Sequence, residues 1–282
     1  MNQPTLDTFV CIHHRDVDYL LETVLRSYEA NFRPKGRLFM ITNDTAYLQR
    51  FLDDTDLAQD VTLTADADWL SKKELELPGW YRQQLIKLRS YQFCETANFC
   101  NLGADTVPLQ PIFYEDLVDE NDFPILYYTR HTLPDQHVRY ERERIRHIAR
   151  ILQVEPNNAL LYTDFINDLF TFNGEMLKSL DAYLKRLYGD EPYVRLLHDL
   201  DDRSVNRNKF GEWTLYSVYL LDVLKRQVTM QNTRPDFLYQ VHGRLSLYLC
   251  NFDTKVVHFV GKNFDVDQIK AQIARRQLQL QP

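Results

Sequence analysis

Phe99-Cys-Asn-Leu-Gly-Ala-Asp-Thr-Val-Pro-Leu109 decides how this 282-residue chain is read. Phe99 to Leu102 has the apolar character of a short strand, Gly103-Ala104-Asp105-Thr106 that of a tight acidic turn, and Val107-Pro108-Leu109 continues apolar. An apolar strand running into a carboxylate matters because ligands of α/β sheets bind beyond the carboxyl ends of the strands. Upstream, the pattern predicts a strand over 8–12 and a helix over 17–30, where Leu20, Leu21, Val24 and Leu25 recur at helical spacing. A second strand over 37–42 ends in Asn43-Asp44, Tyr47, Leu48, Phe51 and Leu52 mark a second helix, and 61–64 reads as a third strand. Pro78-Gly79 breaks the chain before a helix predicted over 80–94. Strand and helix alternating in this way predict an α/β layer with a mostly parallel central sheet flanked by helices. Asp44 and Asp105, each at a strand end, are the first candidate ligand carboxylates.

The second half is less regular. A strand is predicted over 123–128, helices over 137–152, 174–187 and 212–223, and a mixed segment over 165–172. A late strand over 256–260 is closed by Gly261-Lys262-Asn263, and 265–280 reads as a polar terminal helix. There is no internal repeat and no low-complexity tract.

Composition narrows the function classes. Only eight glycines are present, and neither G-x-G-x-x-G nor G-x-x-x-x-G-K-[ST] occurs, so the two glycine-based nucleotide cradles are absent. Thirty-three Lys plus Arg against 40 Asp plus Glu give a net charge of −7, which argues against a nucleic-acid binder. The most basic stretch, 139–150, is interleaved with Glu141 and Glu143 and reads as a solvated helix. No apolar run reaches the roughly 18 residues needed for a transmembrane segment, and the first residues lack the basic and apolar regions of a signal peptide. Cys11, Cys94, Cys100 and Cys250 form no C-x-x-C pair, so they read as buried free thiols, and the expected location is cytoplasmic. Nothing in the sequence speaks to oligomeric state.

Paired aspartates at a strand end can hold Mg²⁺ or Mn²⁺ against a diphosphate, because hard cations prefer oxygen ligands. The literal Asp-x-Asp, Asp66-Ala67-Asp68, reads as a solvated strand-to-loop turn. The frame at 99–109 instead resembles the GT-A glycosyltransferases, whose pattern here is apolar-Asp-x-Asp-[Thr/Val]. Gly103 stands at the first aspartate position and Asp105 at the second. The resemblance implies that Asp105 ligates metal, while the carboxylate that would help hold ribose and metal is missing. A strand-ending turn with Asp105 as a cap is the plain alternative.

Three more segments extend the resemblance. Pro78-Gly-Trp-Tyr-Arg-Gln-Gln-Leu-Ile-Lys-Leu88 is similar to the Gly-Trp-x-x-Gln-Gln-x-x-Lys-Leu helix of a bacterial glycosyltransferase-like group of the DUF6492 type. On a helix Lys87 shares a face with Gln83 and lies near Gln84, so all three are candidate diphosphate contacts. Phe210-Gly-Glu-Trp-Thr-Leu-Tyr216 resembles that group's Ser-Glu-[Tyr/Phe]-x-Leu-Tyr segment, which makes Glu212 an acceptor-hydroxyl binder or general base, or else a helix cap. Val256-Val-His-Phe-Val-Gly-Lys262 looks like the late His-x-x-Gly segment of several GT-A families. There the resemblance implies His258 as a metal ligand, with Gly261 and Lys262 beside the diphosphate; a core histidine is the alternative.

By position, His13 falls where such folds contact the base; the segment 165–172 reads either as lining the acceptor side through Asn167 and Asp168 or as a core strand with a turn. The resemblance implies one GT-A (Rossmann-like) domain over 1–282, with a nucleotide-sugar half at 1–115 and an acceptor half at 116–282. It implies a metal-assisted glycosyltransferase that takes a nucleotide-diphosphate sugar, uses Mn²⁺ or Mg²⁺, and glycosylates a hydroxyl acceptor. Gly103 keeps a second reading in view, a GT-A-like nucleotide- or glycan-binding protein without catalysis. A nucleotidyltransferase ranks below both, because the glycine- and lysine-rich N-terminal loop of such enzymes is absent.

Overall fold

The structure, a computed structural model, describes residues 4–55, 61–130, 137–198, 210–233, 237–241, 254–259 and 266–279. Its centre is a five-stranded sheet whose inner strands carry buried apolar residues on both faces. Strand β1 (Leu6–Ile12) is buried throughout. Phe9 and Cys11 enter one core with Phe39, Ile41 and Phe99. Val10 and Ile12 enter another with Leu38, Met40, Cys100 and Leu102. Continuous apolar runs of this kind mark strands covered on both sides.

β2 (Lys35–Thr42), β3 (Val61–Ala65) and β4 (Asn98–Leu102) join β1 in parallel, and β8 (Leu169–Asn173) closes the edge antiparallel to β4, giving the order β3-β2-β1-β4-β8. Helices α1 (Val17–Asn31), α2 (Thr45–Asp54) and α9 (Val266–Gln279) contribute Leu21, Leu48 and Ile273 to one core. Helices α3 (Lys72–Leu75), α4 (Gly79–Leu88), α5 (His137–Ile151), α6 (Gly174–Tyr188), α7 (Pro192–His198) and α8 (Glu212–Val218) contribute Leu75, Leu85, Ile148, Leu180, Leu197 and Leu215 to the other.

Two smaller sheets lie outside this layer. β5 (Thr106–Pro108) pairs antiparallel with β11 (Val256–Phe259), which runs parallel to β10 (Leu238–Val241). β6 (Leu126–Arg130) lies between β7 (Thr163–Asp164) and β9 (Met230–Asn232). Among the described residues no helix is long and apolar enough to cross a membrane.

Several expectations change in detail. The helix expected to reach residue 94 stops at Leu88, where the Ser90 hydroxyl donates to the Lys87 carbonyl at 2.6 Å and the chain turns into a short 3-10 segment. The mixed segment resolves into β8, whose Phe170 and Phe172 pack as a cluster with Tyr216. The charged face of α5 is not all solvated: Glu141 and Arg144 are buried and paired at 2.8 Å, with Asp164 3.6 Å from the same guanidinium. Cys11, Cys94 and Cys100 are buried and free, while Cys250 lies outside the described residues.

Asp7 pins the start of this sheet. Its carboxylate accepts from the backbone N–H groups of Arg37 at 2.9 Å, Glu95 at 2.7 Å and Thr96 at 3.3 Å. Gly36 is glycine because a Cβ there would lie 2.6 Å from the Asp7 carboxylate and 2.8 Å from its backbone nitrogen. Hydrogen bonds to a charged group contribute more than neutral ones, and removing the acceptor strands its donors. Asp7→Ala is therefore expected to lower unfolding stability by about 3 kcal/mol, and Asp7→Asn by less, in urea titrations. Equal midpoints for Asp7→Ala and the parent chain would contradict this.

Candidate active site

The turn between β4 and β5 carries Gly103, Ala104 and Asp105, and a ladder on each side brings a remote strand to it. On one side β8 runs antiparallel to β4, with Leu102 opposite Leu169. The ladder ends where the Gly103 N–H donates to the Asp168 carbonyl at 2.6 Å. On the other, β11 runs antiparallel to β5 with His258 opposite Thr106, and the Phe259 N–H donates to the Asp105 carbonyl at 3.0 Å.

Asp105, Asp168 and His258, far apart in sequence, thereby meet: each offers a ligand atom within 4.8 Å of the others. His258 Nε2 lies 3.0 Å from Asp168 Oδ2 and 3.5 Å from Asp105 Oδ1. Burial works against charge on His258, but the Asp168 carboxylate and hydrogen bonds to both aspartates outweigh it and raise its pKa above the ordinary imidazole range. Burial likewise opposes the Asp168 carboxylate, and His258 and then Lys87 hold its pKa below the usual range.

The trio lines one end of a cleft of about 360 Å³, together with Lys87, Gln83, Trp80, Trp213, Tyr19 and Asn101. A second cavity of about 340 Å³ continues it past Ile41, Thr42, Asn43, Asp66 and Arg82. The two share Cys11, Ile12, His13, Asp16, Trp80 and Gln83, so they form one trough across the carboxyl ends of β1, β2 and β4. That is where a mostly parallel sheet places a ligand.

Lys87 and Glu212 form the second charged centre. Lys87 Nζ is 2.8 Å from Glu212 Oε1 and 4.0 Å above the Trp213 ring. The Lys87 side chain is 11% exposed and that of Glu212 only 1%. Burial disfavours the ammonium, but Glu212 and then Asp168 outweigh it and raise the Lys87 pKa, while burial raises the Glu212 pKa against the pull of Lys87. A cation over an aromatic face gains further from the ring quadrupole.

The remaining candidates divide. Gln83 and His13 line the cleft. Burial, then His14, lowers the His13 pKa, so its imidazole is neutral at pH 7. Gln84 faces inward at 2% exposure, and neither amide atom has a hydrogen-bond partner among the described residues. Asp44 does not line the cleft; its carboxylate caps α2 by accepting the Tyr47 N–H at 2.9 Å. Glu212 is committed to Lys87 rather than presented to the cleft. Asp168, expected on the acceptor side, lies against His258. Asn167 is buried, and its Oδ1 accepts the Leu169 N–H at 3.1 Å.

Gly261 and Lys262 lie outside the described residues. The literal Asp66-Ala67-Asp68 is a local turn. Asp68 accepts from the Ala65 N–H and the Thr64 hydroxyl, and Asp66 pairs with Arg82 at 3.1 Å. Trp213 and Tyr19 were not singled out from the sequence. The helical spacing around Tyr19 marks only its buried neighbours, and Trp213 reads as one more apolar residue of α8.

The arrangement of strands and helices is that of solved glycosyltransferases. The chain is similar to galactosyltransferase LgtC in complex with donor and acceptor sugar analogues, at TM-score 0.51 and 12% identity, covering 98% of this chain and 97% of that one. It is similar to the apo form of mouse xyloside xylosyltransferase 1, at TM-score 0.54 and 14% identity over 90% and 97% of the two chains. An active-site mutant of LgtC gives TM-score 0.56 and 12% identity over 96% and 95%. At such identities the likeness establishes the fold, which is GT-A. At the level of sequence, residues 20–245 match the family described as "Family of unknown function (DUF6492)", and the chain belongs to that family. No curated protein matches the sequence significantly.

Removing one member of a buried ion pair leaves the other charge unpaired, at a cost of roughly 3–5 kcal/mol, whereas replacing both by apolar groups of similar size is close to neutral. Lys87→Met and Glu212→Leu are accordingly each expected to lower stability by about 3 kcal/mol, and the Lys87→Met/Glu212→Leu pair by much less than their sum, in a double-mutant cycle read by urea unfolding. Additive losses would mean that water screens the pair.

Proposed function

We propose that the trough transfers a sugar from a nucleotide-diphosphate donor to a hydroxyl acceptor, assisted by a divalent cation at Asp105, Asp168 and His258. The observation that carries this reading is the meeting of those three side chains at the edge of a GT-A sheet, with a buried lysine facing the same cleft.

The donor set fits the cation. Carboxylate oxygens suit Mg²⁺ and Mn²⁺, and an imidazole nitrogen beside them favours Mn²⁺. When bound, the cation supplies Lewis-acid neutralisation of charge on the departing diphosphate. The chain's own residues do the rest. Lys87 adds a preorganised positive charge on the same wall, where it counts for more than in water. Glu212 positions that ammonium and is a positioning residue rather than the general base its sequence suggests. Trp80 and Gln83, at the junction of the two cavities, orient the middle of the donor. His13, Thr42 and Asn43 line the part of the trough left for the nucleoside. Ile166 and Trp213 border the opposite end, where the acceptor enters.

The test is a thermal-shift and hydrolysis screen of nucleoside diphosphates and nucleotide sugars, each with Mn²⁺ and with EDTA. One nucleotide class is expected to stabilise the chain in Mn²⁺, by about 2.7 kcal/mol when present at about a hundred times its Kd, and its sugar conjugate to be slowly hydrolysed. Stabilisation without turnover toward any donor would favour a nucleotide-binding protein without catalysis, and no response to any nucleotide would overturn the transferase and leave the glycan-binding alternative. With the donor known, Lys87→Met is expected to reduce kcat by roughly 10²-fold, as the loss of one preorganised electrostatic contact does elsewhere. A change confined to KM would place Lys87 in uniform donor binding instead.

A further inference from the structure

We propose that Asp168 supplies from β8 the carboxylate that β4 lacks at position 103, and that residue 103 is glycine because the two carboxylates cannot coexist. The inference rests on the metal-assisted reading and adds to it which strand delivers the second acidic ligand, and why.

The ladder makes the argument. Asn98 to Leu102 pair in register with Asn173 to Leu169, so Gly103 and Asp168 are the next opposed pair, joined by the 2.6 Å hydrogen bond between their backbones. Directly opposed residues of an antiparallel pair project to the same face. A side chain at 103 would therefore enter the space that Asp168 occupies. A Cβ built on Gly103 lies 2.7 Å from Asp168 Cβ, 2.7 Å from Thr106 Oγ1 and 3.2 Å from Asp105 Oδ1.

None of these obstacles is the loose end of a long side chain. Asp168 Cβ is the first atom of its side chain, whose carboxylate is held by His258, and Thr106 is fully buried within the β5–β11 ladder. Gly103 does not adopt the left-handed backbone conformation that demands glycine; among the described residues only Gly189 of the glycines does. Space, not backbone, is what excludes a side chain at 103. A carboxylate from either strand would sit beside Asp105 and His258, so the acidic count of the cluster is conserved while its delivery changes.

This leads to an unusual expectation: restoring an aspartate at 103 damages the site, and exchanging the two residues repairs it. The experiment compares the full chain with Asp168→Asn, Gly103→Asp and the double exchange Gly103→Asp/Asp168→Gly. Mn²⁺ is titrated by electron paramagnetic resonance, alone and with UDP, GDP, ADP or CDP, and circular dichroism melts verify folding. The parent is expected to bind one Mn²⁺. Asp168→Asn and Gly103→Asp should each weaken it by about tenfold or more, and the exchange should return to within about threefold of the parent.

Parent-like binding by Asp168→Asn, or a folded exchange variant no better than Asp168→Asn, would overturn the relocation while leaving a metal-assisted transferase in place. A parent chain that takes up no Mn²⁺ under any condition would overturn the relocation and the metal together, and donor hydrolysis in EDTA would then show whether the transferase reading survives on its own. Should Gly103→Asp fail to fold, Asp168→Asn and the exchange variant still decide the question.

Discussion

Two main-chain hydrogen bonds at the β4–β5 turn govern the site: Gly103 N–H to the Asp168 carbonyl, and Phe259 N–H to the Asp105 carbonyl. Each contributes only about 1 kcal/mol to stability. Their larger effect is on register. Side chains alternate between faces along a strand, so a slip of one residue would turn Asp168 or His258 away from Asp105. The packing of Phe170 and Phe172 against Tyr216, and the complete burial of Val256 and Val257, hold the two ladders in place. Hydrophobic burial at a distance thus sets the spacing of three polar groups.

Charge in the trough is handled by pairing. Asp66 is matched to Arg82, Lys87 to Glu212, and Asp168 to His258. Asp105 is the more open member of its cluster, with 39% of its side chain exposed. Unpaired charges in a low-dielectric cleft would either neutralise or draw in counter-ions. The arrangement instead keeps Lys87 protonated and aimed at a space bordered by two carboxylates. An anionic diphosphate with its cation complements that pattern, since the cation answers the carboxylates and the lysine answers the phosphates. Neutral His13, Trp80 and the amide of Gln83 border the same trough and suit the uncharged parts of a nucleotide sugar.

What the sequence made legible was local. Apolar runs on both faces exposed β1, β2 and β4, and an acidic turn after β4 singled out Asp105. His258 stood out as an imidazole inside an apolar strand. The order of segments was enough for the GT-A fold. What stayed hidden depends on contacts between distant residues. Asp168 lies in a segment that reads equally as an acceptor-side lining or as a core strand with a turn, and the antiparallel β4–β8 ladder is what brings it to the cluster. Glu212 looks like a helix-start acid until Lys87 is seen beside it. Gln84 and Gln83 are neighbours in a motif, yet the helix turns one inward and the other to the cleft. Asp44, at a strand end like Asp105, is used up by capping α2. Gly103 reads in sequence as a missing ligand, whereas in space it is the gap that Asp168 fills.

The central claim, that Asp105, Asp168 and His258 form one cation site, is tested most directly by anomalous diffraction at the manganese edge from crystals grown with MnCl₂ and a nucleoside diphosphate. A single strong peak within bonding distance of Asp105 and Asp168 oxygens and a His258 ring nitrogen is the expected result. A peak held by other residues, or a well-ordered nucleotide in the trough with no anomalous density at the three side chains, would contradict it.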